Sequence, residues 1–155
     1  MDASDLGELE LFRAIRASGA RSLLIGRRAL VALGLPVSTF DYDFWLHYDD
    51  IELFNAALER YDHFANHTPV EARARGRYVI ENGEHIDVLI SRSRSTPAGL
   101  LLSFDDAWSR KQSLPLGDTE IALPSLSDLI LTKQWAMRAK DVADIQLLEA
   151  LRRRP

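Results

Sequence analysis

The chain has 155 residues, a mass of 17.5 kDa and a formal charge of −4 at pH 7, from 19 basic and 23 acidic side chains. This length fits one compact domain, and a composition of 46% hydrophobic and 27% charged residues excludes a disordered chain or a coiled coil. The acidic balance argues against a general nucleic-acid binder, and the absence of cysteine excludes disulfides, zinc ribbons and thiol catalysis.

The sequence contains no run of about 18–20 apolar residues that could cross a membrane. Its N-terminus, MDASDLGELELF, is acidic and lacks the basic region and apolar run of a signal peptide. We therefore expect a cytoplasmic protein without a membrane partner.

The first third of the chain predicts alternating helices and strands. Asp5 followed by Glu8 is typical of a helix start, and Gly19 is a typical stop. The predicted elements that follow are a strand at Ser22–Ile25, a helix at Arg28–Leu33, a strand at Thr39–His47 and a helix that begins at Asp49 or Asp50.

The rest of the chain predicts a hairpin and a helical end. Asn82-Gly83 is a dipeptide that favours tight turns, and it separates two strand-like runs. The predicted elements are strands at Arg77–Glu81 and Glu84–Ile90, a short helix at Asp105–Ser109, a strand at Thr119–Leu123 and a helical segment over about 125–151 with a bend at 138–140. The order αβαβαββαβαα predicts a single α/β (α+β) domain over residues 1–155, with a mixed β-sheet flanked by helices.

Two acidic residues share one face of the second predicted strand. The two-residue period places Asp41, Asp43 and Trp45 on one side and apolar residues on the other. Acidic residues are uncommon in strands, and their mutual repulsion would be offset by a divalent cation such as Mg²⁺, which prefers carboxylate oxygens. If the strand of Asp87 lies alongside, three carboxylates could form a two-metal site for phosphoryl transfer. The alternative is that the three residues lie on a solvated face of the sheet.

Three segments of the chain follow an ordered pattern. They read LLIGRRALVALGLPVSTFDYDFWL, HIDVLIS and DLILTKQWAMRAKDVADIQLL. In this order they resemble the DNA polymerase β-like nucleotidyltransferase superfamily, in its small prokaryotic branch. The matching residues are Gly26, Ala29, Leu30, Gly34, Thr39, Asp41, Asp43, Asp87, Asp128, Lys133, Arg138, Lys140, Asp141 and Asp144.

The resemblance implies transfer of a nucleoside monophosphate from an NTP to an acceptor hydroxyl. It implies Mg²⁺, or Mn²⁺ in its place, held by the catalytic residues Asp41, Asp43 and Asp87. Gly26 would let backbone N–H groups approach the β- and γ-phosphates. Lys133, with Lys140 as a second candidate, would place a positive charge beside the triphosphate.

The sequence departs from the family pattern after Gly26, where Gly or Ser is usual. Arg27 and Arg28 stand there, and Arg27 could either bind the triphosphate through its guanidinium or block its approach. Near the C-terminus, Asp141 and Asp144 could pair with Arg138 and Lys140 as ordinary helix ion pairs.

The departure leaves a second function open. The chain could be a catalytically degenerate nucleotidyltransferase-fold binding module, such as one partner of a toxin–antitoxin pair. The short chain leaves little room for a further substrate domain, so a homodimer or a partner protein could complete the acceptor pocket. The acceptor itself could be an antibiotic or other small molecule, an RNA 3′ end or a protein hydroxyl.

Several further side chains have two interpretations. Arg73, Arg75 and Arg77 alternate along a possible strand, as do Arg92 and Arg94 later, and such a basic stripe could attract a polyanion or simply guard a solvated edge. His63 and His67 are expected in a solvated loop. Trp108 and Trp135 are expected to be core aromatics.

Overall fold

A computed structural model describes residues 7–82 and 85–154 of the chain. The described helices are α1 (Glu8–Ser18), α2 (Gly26–Ala32), α3 (Ile51–Glu59), α4 (Pro69–Arg75), α5 (Phe104–Ser109), α6 (Leu126–Gln134) and α7 (Ala139–Arg152). The described strands are β1 (Ser22–Ile25), β2 (Tyr42–Leu46), β3 (Phe64–Ala65), β4 (Arg77–Glu81), β5 (His85–Leu89), β6 (Ser93–Ser95), β7 (Leu101–Ser103), β8 (Gln112–Leu116) and β9 (Thr119–Leu123).

The centre of the fold is a five-stranded mixed sheet in the order β1-β2-β5-β4-β3. Strands β2 and β5 run parallel, and the other neighbours in this sheet are antiparallel. This arrangement confirms the predicted α/β class with a mixed sheet. The β4–β5 pairing also confirms the hairpin, although Gly83 of its turn and the predicted strand start Glu84 lie outside the described residues.

Strand β2 separates two layers of core packing. Phe44 is buried against Phe12 and Phe54 from helices α1 and α3, with ring centroids 6.0 and 5.6 Å away. On the opposite face, Trp45 packs edge-on against Phe104 and Trp135. The predicted alternation of faces is confirmed, and burying each such aromatic stabilises the fold by about 1.5–3 kcal/mol.

Two elements near the Gly turn differ in extent from the prediction. Strand β2 is shorter than expected and begins at Tyr42, so Asp41 lies in the loop before it. There the backbone N–H of Asp41 donates to the hydroxyl of Thr39. Helix α2 begins at Gly26 rather than Arg28, and therefore starts directly where β1 ends.

The possible strand through Arg73, Arg75 and Arg77 is wrong. Arg73 and Arg75 belong to helix α4, and only Arg77 lies in a strand. Thr68 begins this helix with a reciprocal capping box to Glu71, which satisfies two backbone donors that the helix end would otherwise leave unpaired.

The predicted solvated loop around the two histidines is also wrong for one of them. The side chain of His63 is buried, with 1% of the residue exposed, and its Nδ1 hydrogen-bonds to the carbonyl of Tyr61.

The helix ends match the sequence signals only in part. Gly19 ends α1 in a left-handed conformation as predicted, whereas the predicted cap Asp5 lies outside the described residues and Gly7 occupies the N-cap position. Asp50 stands at the N-cap of α3, but its carboxylate binds Arg21 instead of the helix. Within residues 7–82 and 85–154, no helix is long and apolar enough to cross a bilayer.

The C-terminal region consists of two helices, as the bend at 138–140 predicts. Ser125 begins α6 by accepting a hydrogen bond from the backbone N–H of Asp128. Between α6 and α7 the chain turns sharply, and Met137 adopts a left-handed backbone conformation with φ of 48°. This turn directs the start of α7 toward the end of the sheet where β2 begins.

Candidate active site

Asp43 and Asp87 are direct register partners on the parallel strands β2 and β5. Their side chains line one cavity of about 370 Å³, together with Asp41 from the loop before β2. The structure thus places the strand of Asp87 beside that of Asp43, as the sequence analysis required for a shared site. The cavity also contains Gly26 and Lys133, so it brings together residues that are up to 107 positions apart in the chain.

Among the three carboxylates, Asp43 has a raised proton affinity. Partial burial and the negative charges of Asp87 and Asp41 raise the pKa of Asp43 above its usual value, while Lys133 and Lys140 oppose this shift. Like charges held together without full solvation favour the neutral form of one carboxyl group. Negative charge is therefore concentrated locally at Asp43, where a bound cation would relieve the repulsion from Asp41 and Asp87.

Asp87 is already in contact with an imidazole and a guanidinium. His85 Nε2 lies 3.2 Å from Asp87 Oδ2, and an Arg77 guanidinium nitrogen lies 3.9 Å from Oδ1. His85 also contacts Glu81 at 3.3 Å through Nδ1. His85 belongs to the same strand as Asp87, and Arg77 and Glu81 belong to β4, which lies on the side of β5 away from β2.

The chemistry of the donor atoms fits a magnesium ion, although their present arrangement does not form a metal centre. Within the described residues, no three His, Asp or Glu side chains converge closely enough to form a metal centre as they stand. The donors are nevertheless the hard carboxylate oxygens that Mg²⁺ prefers, they line one cavity, and Asp43 is repelled by the other two. The metal roles of Asp41, Asp43 and Asp87 stay a prediction.

Position 26 must be glycine because its backbone lies directly against the Asp43 side chain. Its φ of +69° lies in the left-handed region, and a Cβ added there would overlap Asp43 Oδ2. The backbone of the β1–α2 turn is therefore pressed against the carboxylate, an approach that only glycine permits. Gly34, by contrast, has a similar φ of +81° but open space around it.

Lys133 is enclosed by two carboxylates. Its ammonium donates a 2.8 Å hydrogen bond to Asp144 and lies 3.7 Å from Asp141, and only 5% of the residue is exposed. Burial by itself would raise the pKa of Asp144, but hydrogen bonds from Lys133 and Arg27 lower it overall. Lys133 lines the cavity, yet much of its charge is compensated by these partners.

Arg27 contacts Asp144 instead of the cavity. Its guanidinium donates two 3.2 Å hydrogen bonds to the Asp144 carboxylate, which joins α2 to α7. Asp141 pairs with Arg138, as the helix ion-pair interpretation expects, whereas Asp144 pairs with Lys133 and Arg27 rather than Lys140. Lys140 is exposed and lines the cavity.

Arg28 lies near the site without reaching into the cavity. Its guanidinium carbon sits 4.2 Å from the centroid of the Tyr42 ring. Its Nε is buried and has no hydrogen-bond partner among the described residues. The nucleotide-binding roles assigned to Arg27 and Arg28 therefore stay predictions, and both side chains have contacts elsewhere.

Three residues of the cavity wall were not assigned to the site from the sequence. Arg77 and Arg94 line it from β4 and β6, and Arg94 lies 5.1 Å from the centroid of the Trp135 ring. Trp135 packs on Trp45 as a predicted core aromatic, but it also faces the cavity. The alternating arginines signalled a basic surface, but nothing in the sequence placed the short strand β6 beside the carboxylates.

The fold has known counterparts among solved structures, although no protein-family model and no curated protein matches the sequence. The lincosamide antibiotic adenylyltransferase LnuA, solved with lincomycin bound, has a TM-score of 0.64 at 16% identity, covering 94% of this chain and 98% of that one. The antibiotic-resistance factor ANT(2'')-Ia has a TM-score of 0.63 at 12% identity, covering 97% and 85%.

A third structure belongs to a proposed nucleotidyltransferase, TM1012 from Thermotoga maritima. Its TM-score is 0.53 at 12% identity, and the match covers 93% of this chain and 87% of that one. The three structural similarities extend over nearly the whole chain, but the sequence identity is low. They are therefore evidence for the fold alone. The chain has a nucleotidyltransferase fold, as its resemblance to the DNA polymerase β-like superfamily implies.

Proposed function

We propose that this chain is a Mg²⁺-dependent nucleotidyltransferase that moves a nucleoside monophosphate from an NTP to an acceptor hydroxyl. The observation that carries the proposal is the pairing of Asp43 with Asp87 on adjacent strands, directly against the Gly26 turn. A left-handed glycine held against a carboxylate and a pair of strand carboxylates are costly for stability alone, and a phosphoryl-transfer site gives a reason for both.

The carboxylates would hold the metal in this proposal. Asp43 and Asp87 would be shared ligands, and Asp41 would complete the set from the loop before β2. Bound Mg²⁺ would supply positive charge that offsets the negative charge of the triphosphate. Mn²⁺ has similar preferences for oxygen ligands and is expected to substitute.

The step itself is a displacement at the α-phosphorus. The acceptor oxygen forms a bond to that phosphorus, the bond to the bridging oxygen of the β-phosphate breaks, and pyrophosphate leaves. The acceptor's hydroxyl proton passes to the Asp87 carboxylate, which lies at the edge of the three-carboxylate group next to open cavity.

The triphosphate would lie on the α6–α7 side of the carboxylates. Backbone N–H groups at the start of α2 and the exposed ammonium of Lys140 are available there. Lys133 would contribute a weaker, compensated charge, because Asp144 and Asp141 already neutralise it.

Isothermal titration of each of the four common NTPs with MgCl₂ tests the nucleotide half of the proposal. We expect at least one NTP to bind, and Asp43→Asn and Asp87→Asn each to weaken binding at least about tenfold, which corresponds to 1.4 kcal/mol. Asp118→Asn is the matched control, since this exposed carboxylate pairs only with Arg13 far from the cavity. An unmutated protein that binds no NTP would contradict the proposal.

The transfer half requires a labelled product. The protein is incubated with α-³²P-labelled NTPs, Mg²⁺ or Mn²⁺, and fractionated cell lysate, and label is sought in small molecules, RNA and protein. The expected result is label in one fraction with matching release of pyrophosphate, both lost in Asp43→Asn.

A second candidate function is a catalytically degenerate binding module, such as one partner of a toxin–antitoxin pair. The specific observation in its favour is that Arg27 and Lys133, two of the proposed nucleotide-binding cations, are both engaged by Asp144. This candidate predicts stable association with a partner protein or a second copy, without pyrophosphate release. Co-purification from native cells together with the labelling assay distinguishes the two.

A further inference from the structure

Two groups of cationic side chains line the cavity around its carboxylates. One group comes from the α6–α7 region and consists of Lys133, Arg138 and Lys140. The other consists of Arg77 on β4 and Arg94 on β6. Only the first group is needed to hold a triphosphate, so the second requires its own explanation.

Arg77 lies beyond Asp87 as seen from Asp43. Strand β5 is flanked by β2 on one side and β4 on the other, and Arg77 is the register partner of Leu89, two residues after Asp87. Its guanidinium reaches to 3.9 Å from the Asp87 carboxylate, while 66% of the side chain remains exposed. The contact is long and solvated, so Arg77 retains hydrogen-bond donors for a ligand.

Arg94 is held at the cavity wall by an aromatic surface. It lies 5.1 Å from the Trp135 ring centroid, and Trp135 in turn packs edge-on against the fully buried Trp45. Within residues 7–82 and 85–154, the Arg94 guanidinium has no carboxylate partner. An arginine stacked on a ring keeps its in-plane N–H groups free, and these suit the oxygens of a phosphate.

The position of the two arginines identifies what they would contact. If the proposed function holds, the triphosphate occupies the α6–α7 side and the acceptor hydroxyl must approach Asp87 from the other side. Strand order places Arg77 on that other side, and Arg94 lines the same cavity from β6. Two guanidinium groups there would repel a polycationic acceptor and attract one that carries a phosphate.

We propose that Arg77 and Arg94 form an acceptor subsite for a phosphate group, so that the acceptor carries a phosphate close to the hydroxyl it donates. This inference rests on the proposed function for the direction of approach, but the anion site itself does not require catalysis. An RNA 3′ end and a small phosphorylated alcohol such as a nucleoside monophosphate both present this chemistry.

The test measures binding without any NTP. A fluorescein-labelled ten-nucleotide RNA with a free 3′-hydroxyl is titrated with the full chain, and AMP is used as a competitor. In Arg77→Gln/Arg94→Gln we expect the RNA to bind at least about tenfold more weakly, and the dependence of log K on log salt to fall by more than one, since two phosphate contacts are lost.

The control is Arg60→Gln/Arg75→Gln, which removes the same charge from exposed arginines outside the cavity and should change RNA affinity less than twofold. Arg77→Lys/Arg94→Lys keeps both charges and should recover part of the affinity. RNA that is displaced by AMP indicates a small phosphorylated acceptor, and RNA that resists AMP indicates a polynucleotide; both outcomes support the subsite.

Equal loss of RNA affinity in Arg60→Gln/Arg75→Gln would overturn the inference, because the loss would then follow from the lower net charge of the protein and not from the position of the arginines. An unchanged affinity in Arg77→Gln/Arg94→Gln would overturn it as well. NTP–Mg²⁺ titration of the same variant separates the two proposals: its NTP affinity should be retained, and a comparable loss would assign the arginines to the nucleotide side. A chain that binds RNA through this pair but binds no NTP would contradict the proposed function alone.

Discussion

Lys133 and Asp144 are joined by a 2.8 Å hydrogen bond between side chains that are almost wholly withdrawn from solvent. Arg27 adds two hydrogen bonds to the same carboxylate from helix α2. Asp144 therefore connects α2, α6 and α7, the three helices that border the cavity. A buried carboxylate with three donors is stable only while its partners remain, because unpaired buried charge is expensive.

Asp144→Asn should destabilise the fold strongly. The substitution leaves Lys133 buried with only the more distant Asp141 as a counter-charge, and it weakens the bond to Arg27. We expect the free energy of unfolding to fall by about 3 kcal/mol, measured by urea denaturation.

Glu149→Gln is the control for Asp144→Asn, since Glu149 lies on the same helix and pairs with Arg152 near the surface. This exposed pair should contribute no more than about 0.5–1 kcal/mol. A loss in Asp144→Asn as small as that of the control would show that the buried network does not hold the helices together.

Asp50 should make stability depend on acid pH. Hydrogen bonds from the Arg21 side chain, and also from its backbone N–H, lower the pKa of Asp50 below its ordinary value of 3.8. A carboxylate with a lowered pKa in the folded state adds stability above its unfolded pKa, and this contribution is lost as the pH falls through the folded pKa.

Asp50→Asn should therefore lower the free energy of unfolding at pH 7, and the gap to the unmutated protein should narrow as the pH falls below about 4. Urea denaturation at pH 7, 4, 3 and 2 measures this gap. Asp49→Asn is the matched control, because Asp49 is exposed and its contacts with His47 and Arg92 are 3.9 Å long. A gap for Asp50→Asn that stays constant down to pH 2 would contradict the assignment.

Gly26→Ala and Gly34→Ala separate two consequences of a left-handed glycine. Both substitutions force alanine into a positive φ, which costs about 1–2 kcal/mol, but only Gly26→Ala drives a Cβ into Asp43. We expect similar strain in both variants and an additional loss of stability in Gly26→Ala. NTP binding, on the proposed function, should be lost in Gly26→Ala and retained in Gly34→Ala. Equal NTP affinity in the two variants would argue that Asp43 does not need this contact.

The sequence was informative where burial dictated a pattern. Alternating apolar residues on β2 and β5 required Asp43 and Asp87 to share the opposite, less buried face, and the parallel pairing then made them neighbours. The segment PVEARAR was misleading, because its arginines alternate with a period of two although Thr68, Pro69 and Glu71 carry a helix-start signal.

Other features could not be read from local pattern. Strand β6 has the polar sequence SRS, and β8 contains Pro115, so neither follows a strand-like alternation. The bond between Arg27 and Asp144 spans 117 positions and depends on how α7 packs against α2. Such contacts follow from tertiary packing, and the roles of individual cations around the cavity depend on them.

The three lysines of the chain should differ sharply when substituted. Lys140 is exposed at the cavity, Lys133 is buried between Asp141 and Asp144, and Lys111 lies 4.2 Å from the centroid of the Trp108 ring, outside this cavity. On the proposed function, Lys140→Ala should weaken NTP affinity about tenfold, since it removes a free positive charge beside the triphosphate. Its unfolding free energy should change by less than about 0.5 kcal/mol, as for other exposed substitutions.

Lys133→Met should affect stability more than Lys140→Ala does. It leaves Asp141 and Asp144 buried with one counter-charge fewer, and it should lower the free energy of unfolding by about 3 kcal/mol. Lys133→Arg keeps the charge but must fit a larger planar group between two carboxylates. The affinity of this variant for NTP should therefore be lower than that of the unmutated protein. Lys111→Ala is the control and should leave NTP affinity unchanged. Titration calorimetry and urea denaturation on all four variants measure both quantities. One result would contradict this assignment: Lys140→Ala binds NTP tightly, whereas Lys133→Arg is folded and does not bind it. Lys133 would then make the main triphosphate contact, in spite of its buried partners.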